Sequence, residues 1–224
     1  MWRGRRGGSY RRMHMALGAL IAIIDFHGVP DDEYHDWYDM EHLPERERIE
    51  GFLTASRWIS RDDPKVSLGF YDLSSVEVLD EAGYQAVGGE NFSPWSKRIL
   101  AKAAGLERYE VEQIAPGDQV SPDGAGGLYV VTINVEEAAE DEFNRWYAEE
   151  HLPALAEVPG VMAARRFRSR VGPCKYLAIY HVEDPAIPGS APWLEAAETP
   201  WTHAMRERMT DREKRVFVPY SRAT

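Results

Sequence analysis

The chain has 224 residues and a formal net charge of −11, with 44% hydrophobic, 11% aromatic and 28% charged residues. These are the proportions of a folded globular protein with a full core, and they exclude a disordered, collagen-like or membrane-embedded chain. Arg3, Arg5, Arg6, Arg11 and Arg12 carry all the charge of residues 1–12, so the body is more acidic than the total shows and suits neither nucleic acid nor an anionic membrane surface.

In chain order, residues 1–15 read as a basic, disordered leader. The apolar run behind it is cut by Asp25 and lacks a small-residue cleavage site, so it suits a strand, Leu20–Asp25, better than a secretory signal. A helix is expected after Pro30, with Asp31 as N-cap and Asp32-Glu33 in the first turn, where carboxylates meet the positive end of the helix dipole. Strands Leu53–Ser60 and Val66–Leu73 form a hairpin about Asp62-Asp63-Pro64. A second helix follows at Pro94–Ala104, and strand Tyr109–Ile114 closes the unit. Residues 116–126, rich in Gly, Pro, Asp and Ser, read as a flexible linker. The order then repeats: strand Leu128–Val135, a helix, strands Met162–Ser169 and Tyr176–Val182, helix Pro200–Thr210 and strand Arg215–Val218. Cys174 stands alone, which leaves no disulfide and no cysteine zinc site and suits a reducing cytoplasm. No apolar stretch approaches the roughly 20 residues needed to span a bilayer.

The repetition is literal at its centre. Trp37-Tyr38-x-x-Glu41-His42-Leu43-Pro44 recurs as Trp146-Tyr147-x-x-Glu150-His151-Leu152-Pro153, 109 residues on, and the same offset carries Gly51 onto Gly160, Arg57 onto Arg166 and Tyr71 onto Tyr180. Each unit is βαββαβ, so the chain reads as an α+β protein of two tandem ferredoxin-like repeats, residues 16–115 and 127–224. Such units pack both helices on one sheet face. Two bare faces set together close an eight-stranded barrel with room for one small ligand.

Within the first helix Tyr34, Trp37, Tyr38, Glu41 and His42 share a face at helical spacing, as do Phe143, Trp146, Tyr147, Glu150 and His151 in the second unit. An aromatic stripe ending in a carboxylate and an imidazole suits general acid–base chemistry. In that reading His42 and His151 carry protons at a pKa near neutral, Glu41 and Glu150 orient them, and Tyr34, Trp37, Tyr38, Trp146 and Tyr147 wall a pocket. Arg57 and Arg166 on the second strands are candidates to grip a carboxylate or enolate oxygen, and Tyr71 and Tyr180 to donate to a ligand. The competing reading is structural: Leu-Pro after each histidine places it at a helix C-terminus, where an imidazolium caps carbonyls. The units also differ, with Tyr34, His35, Asp36, Trp58 and Asp72 in the first against Phe143, Asn144, Arg145, Phe167 and His181 in the second. One pocket is therefore free to become scaffold, and the more polar first unit is the expected active one. No glycine-rich phosphate loop and no His-x-x-x-His or Glu-x-x-His spacing is present, so neither a cofactor nor a metal is expected.

With these motifs the chain resembles the EthD-like branch of the dimeric α/β barrel superfamily. Trp-Tyr-x-x-Glu-His-Leu-Pro at 37–44 and 146–153 is similar to that family's aromatic stripe ending in His-x-Pro, and the resemblance runs over residues 16–222. Relatives include muconolactone methylisomerases, polyketide cyclases and dehydratases, cofactor-free monooxygenases and haem proteins. A histidine at this helix end is implicated in proton transfer in the methylisomerases, a role the resemblance carries to His42 and His151. It also implies that a barrel built between two chains in single-unit relatives forms here within one. The expected function is cofactor-independent acid–base chemistry of lyase, isomerase or cyclase type on a small cyclic or aromatic carbonyl compound, in small-molecule catabolism or biosynthesis. A monooxygenase or haem-dependent enzyme of the same fold, or a non-catalytic small-molecule-binding protein, is the alternative. The expected partner is a small-molecule substrate rather than nucleic acid or a membrane, with a homodimer of the double chain allowed.

Overall fold

The computed structural model describes residues 16–222, so the expected basic leader, residues 1–15, lies outside the described residues. Apolar, β-branched runs form strands β1 (Gly18–Asp25), β2 (Ser56–Ser60), β3 (Val66–Leu73) and β4 (Gly105–Ala115) in the first half. Strands β5 (Gly127–Val135), β6 (Val161–Val171), β7 (Tyr176–Val182) and β8 (Met209–Pro219) form the second. They close into one barrel in the order β1-β3-β2-β8-β5-β7-β6-β4. Every neighbouring pair is antiparallel, as where Ile21 lies opposite both Phe70 and Tyr109. Each half contributes four contiguous strands, β4-β1-β3-β2 and β8-β5-β7-β6. Two seams join the halves, with Ile59 facing Val218 on one and Glu112 facing Arg168 on the other.

Alternate residues of all eight strands point inward and pack into a single cluster that includes Ile21, Trp58, Phe70, Val130, Phe167 and Phe217. This corrects the expectation of a ligand inside the barrel. An eight-stranded bore is just wide enough for side chains to fill, and here aromatic and branched residues fill it. The spaces bordered by the two histidines lie outside, between the sheet and the helices, and an open recess of about 620 Å³ is lined by strand and loop residues that include Glu107, Tyr109, Thr132 and Cys174.

The first helix of each half is where the structure departs most from the sequence reading. In α1 (Asp31–Trp37) the N-cap is Pro30 rather than Asp31, and Asp31 instead binds Lys65. The Leu-Pro pair does not end the helix. Tyr38–His42 form a π turn and the chain continues as α2 (Leu43–Glu47). Proline falls in the opening turn of the new segment, where it has no N–H to lose, and the wider π turn accommodates its ring. The second half repeats this with α5 (Glu140–Trp146), a π turn at Tyr147–His151 and α6 (Leu152–Ala156).

The second helices run as expected, though shorter. Helix α4 (Pro94–Lys102) is capped by Ser93 and α8 (Pro200–Arg206) by Thr199. Two short helices were not expected, α3 (Ala82–Gln85) and α7 (Ala191–Ala197). The linker is strapped down rather than loose. Gln113 accepts from the backbone of Gly117 and Gln119 at 3.0 Å each and donates to Gln119 O at 2.7 Å. No helix among the described residues is long and apolar enough to cross a membrane.

Candidate functional site

In a straight α-helix, residues five apart point to different sides. The π turn, which closes i to i+5, brings each histidine back over its tryptophan. The ring centroids are 4.5 Å apart for Trp37 and His42 and 4.3 Å for Trp146 and His151. Both imidazoles are half-buried, and both Nδ1 atoms are sealed from solvent with no partner among the described residues. His42 borders a cavity of about 50 Å³ whose walls include Leu20, Trp37, Arg46, Tyr71 and Arg108. His151 borders its counterpart of about 40 Å³, with Tyr129, Trp146, Tyr180 and Trp193 as aromatic walls and Arg206, Arg212 and Lys214 as cations. Arg212 and Lys214 are exposed and mark its solvent side.

Electrostatics overturns both expectations for the histidines. Burial first, then the guanidinium groups of Arg46 and Arg57, hold His42 well below the ordinary 6.5. Burial, then Arg206, Lys214 and Arg212, push His151 down to about 3. Neither ring is poised near neutrality, and neither caps a helix end as an imidazolium, because the helix continues past it. Both are neutral imidazoles in positive surroundings.

The carboxylates are engaged elsewhere. Glu41 accepts from Ser93 Oγ at 2.6 Å and Ser96 Oγ at 3.0 Å, and Glu150 accepts from Thr199 Oγ1 at 2.5 Å. Ser93 and Thr199 are the N-caps of α4 and α8, so each glutamate ties the first helix of its half to the second. Among the described residues neither bonds its neighbouring histidine.

Of the expected wall residues, Trp37, Tyr71, Trp146 and Tyr180 do line the histidine cavities, and Tyr34, Tyr38 and Tyr147 do not. Tyr34 hydrogen-bonds Ser67 and stacks on Phe26, with centroids 3.8 Å apart. Tyr38 sits 3.1 Å from the Tyr71 hydroxyl. Arg57 and Arg166 point outward from the sheet into aromatic cages, with Tyr38 4.3 Å from one and Tyr147 4.2 Å from the other, and line neither histidine cavity. Cys174 is buried, which pushes its thiol up and makes it a poor nucleophile.

The two halves have diverged in which donors remain free. In the first, Trp37 Nε1 donates to Ser96 Oγ at 2.9 Å and Tyr71 is paired with Tyr38. In the second, Trp146 Nε1, the Tyr180 hydroxyl and His151 Nδ1 are all buried without partners. Groups that seek a ligand thus concentrate in the second half, the reverse of the expectation. Sequence reasoning missed the cations around them, although Arg212 and Lys214, two apart on β8, share one sheet face.

Haem, which the sequence resemblance allows, does not fit either histidine. Cavities of about 40 and 50 Å³ hold a few waters' worth of space, not a porphyrin. An axial histidine also needs an acceptor for its other nitrogen, and Nδ1 has none in either half.

Residues 127–187 match the family described as Domain of unknown function (DUF4286). No curated protein matches the chain in sequence. Among solved structures, an anthrone oxidase-like protein is 14% identical with a TM-score of 0.61, covering 92% of each chain. A monooxygenase-like protein from Listeria innocua is 10% identical with a TM-score of 0.56, covering 93% of this chain and 96% of that one. A variant chlorite dismutase from Candidatus Nitrospira defluvii is 10% identical with a TM-score of 0.56, covering 91% and 92%. Identities this low speak for the fold alone, an eight-stranded antiparallel barrel with helices outside.

Proposed function

We propose that the chain is a cofactor-independent acid–base enzyme acting on a small carbonyl compound, with His151 as the proton-carrying group and the His42 cavity as its counterpart. One observation carries this reading: a neutral imidazole borders a cavity whose walls include three cations and the side chains of Trp146 and Tyr180, each of which carries a buried donor without a partner among the described residues. A neutral His151 has a lone pair to accept a proton from carbon, and the enolate left behind meets the Tyr180 hydroxyl and the charges of Arg206, Arg212 and Lys214. A base of pKa about 3 is weak in the free protein. Negative charge developing beside it in the complex pairs with the imidazolium and raises its proton affinity. The space of about 40 Å³ suits the reacting end of the substrate, with the remainder toward the cationic mouth. Glu150 and Glu41 then act as positioning residues for the helix that carries each histidine.

The enolate's fate separates lyase, isomerase and cyclase outcomes from the second reading, a cofactor-free monooxygenase. The names of the anthrone oxidase-like and monooxygenase-like neighbours favour that alternative. There a CH₂ group and dioxygen give a carbonyl and water. The strand order β4-β1-β3-β2 and β8-β5-β7-β6 supports tandem ferredoxin-like units, and the repeated His-x-Pro helix supports an EthD-like origin.

The test reads the shared step. Small cyclic ketones incubated with the protein in deuterium oxide should exchange their α-protons, followed by nuclear magnetic resonance, and His151→Ala should slow this by roughly 100-fold or more. Exchange unaffected by His151→Ala would sink the assignment, and oxygen uptake with a substrate that exchanges would select the second reading. With the free imidazole already neutral, the exchange rate over KM should show no acid limb near pH 6.5, and its fall should come only toward pH 3–4.

A further inference from the structure

Arg57 and Arg166 occupy equivalent places on β2 and β6, but only one has a counterion. Arg57 donates from Nη1 to Asp39 at 2.9 Å, shares Nη2 with His35 Nδ1, and is covered by Tyr220, whose ring centroid is 3.8 Å away. At the places of Asp39 and His35 the second half has Ala148 and Asn144. Asn144 turns to the Tyr176 hydroxyl, 3.2 Å away. Arg166 is 4% exposed and caged by Tyr147, Tyr176 and Phe143 at 4.2, 4.6 and 4.8 Å. Its Nε and Nη2 are buried without an acceptor, and among the described residues the guanidinium makes no hydrogen bond and no ion pair. Glu140, the carboxylate whose charge reaches it, is already held by Lys175 at 2.7 Å and Tyr176 at 2.5 Å.

Arginine does not shed its proton, and a guanidinium taken from water without a partner is costly. Next to it lies a cavity of about 230 Å³, walled by Ile114, Ala115, Tyr147 and Leu152, with Ala148 at its exposed edge. A second, largely apolar groove of about 390 Å³ borders the same Ala115 and Leu152. The charge calls for an anion, the guanidinium fork matches a carboxylate, and the walls call for an apolar body.

We propose that the second half binds a small organic carboxylate here, its carboxylate on the guanidinium of Arg166 and its apolar body against Ile114, Ala115 and Leu152. In the first half the Asp39 carboxylate takes the ligand's part, so one internal ion pair has been exchanged for an open site. This cavity shares no lining residue with the His151 cavity, so the inference stands apart from the proton-transfer reading.

Titration calorimetry of the full chain with sodium benzoate, and with benzamide as its neutral counterpart, tests the proposal. Benzoate should bind at one site per chain, with benzamide roughly 30-fold weaker or more. Ala148→Asp, an exposed substitution that supplies the carboxylate Asp39 provides in the first half, should abolish benzoate binding and raise the melting temperature. Arg166→Gln should also lose benzoate, and His151→Ala should retain it. Equal binding of benzoate and benzamide, no benzoate binding, or binding that survives Ala148→Asp would each overturn the proposal. Benzoate binding lost in His151→Ala but kept in Ala148→Asp would place the anion in the histidine cavity and overturn it equally.

Discussion

His181 shows how far a single buried side chain can depart from solution behaviour. It is fully buried, meets Trp58 and Phe70 edge-on at 6.0 and 5.9 Å, and has no partner for either ring nitrogen among the described residues. Burial, and then the charge of Arg165, push it down to about 3. The unfolded chain therefore takes up a proton below pH 6.5 while the folded chain stays neutral. The resulting stability is complete above pH 6.5 and is lost as pH falls from there toward 3, in the same sense as for His42 and His151. His181 and His151 each contribute a slope of roughly 1.4 kcal/mol per pH unit within that window. Urea unfolding at pH 7.5 and 5.0 should show the loss. His181→Leu should reduce the slope and leave stability at pH 7.5 unchanged or higher, because it removes two unsatisfied polar atoms. A slope that persists in full would refute this.

The spacing between helix and sheet is decided by small exchanges that come in pairs. Gly69 on β3 leaves room for the Tyr38 hydroxyl, which a Cβ would approach to 2.2 Å. Its counterpart on β7 is Ala178, and in that half the Tyr180 hydroxyl is left unpartnered. Likewise Tyr34 with Ser67 in the first half becomes Phe143 with Tyr176 in the second, moving bulk and hydroxyl from helix to strand. Gly69→Ala should therefore cost roughly 1–3 kcal/mol by overpacking. Adding Tyr38→Phe, which removes the clashing oxygen, should recover part of that loss in the denaturation midpoint. No recovery would mean that the strain lies in the backbone rather than at the hydroxyl.

At the scale of the molecule, the halves are joined by more than their two seams. Asp72 on β3 and Arg165 on β6 pair at 2.6 Å with both side chains fully buried. Asp72 also accepts from Thr54 Oγ1 and the Ser121 backbone at 2.7 Å each, and Arg165 reaches Gln119 O at 3.1 Å and Ser121 Oγ at 2.9 Å. Burial raises the Asp72 carboxyl, but Arg165 and these donors outweigh it and hold the group below its ordinary value. One ion pair thus pins first half, linker and second half together. Asp72→Ala should cost roughly 3–5 kcal/mol by stranding the buried guanidinium, whereas Asp72→Leu with Arg165→Met should be close to neutral. Equal losses in both variants, measured by urea unfolding, would show that the pair contributes net stability beyond avoiding a stranded charge.

Periodicity and repetition were enough to place the eight strands and the principal helices. Short β-branched runs, and an offset of 109 residues that holds across the motif, are local properties of the chain. The close Trp-His ring pairs, the filled barrel interior and the strapped linker were not legible. The first depends on a π turn where proline rules predict a helix end, and the others on which side chains meet across the closed sheet. The same limit applies to the candidate site. The sequence marked His42, His151 and their tryptophans by composition, but solvent exclusion, the cations from β8 and the loss of a counterion at Arg166 arise only when distant strands and helices are brought together. Residue types and their spacing follow from the chain alone. Protonation states and open cavities follow from burial and long-range neighbours, which only the tertiary structure decides.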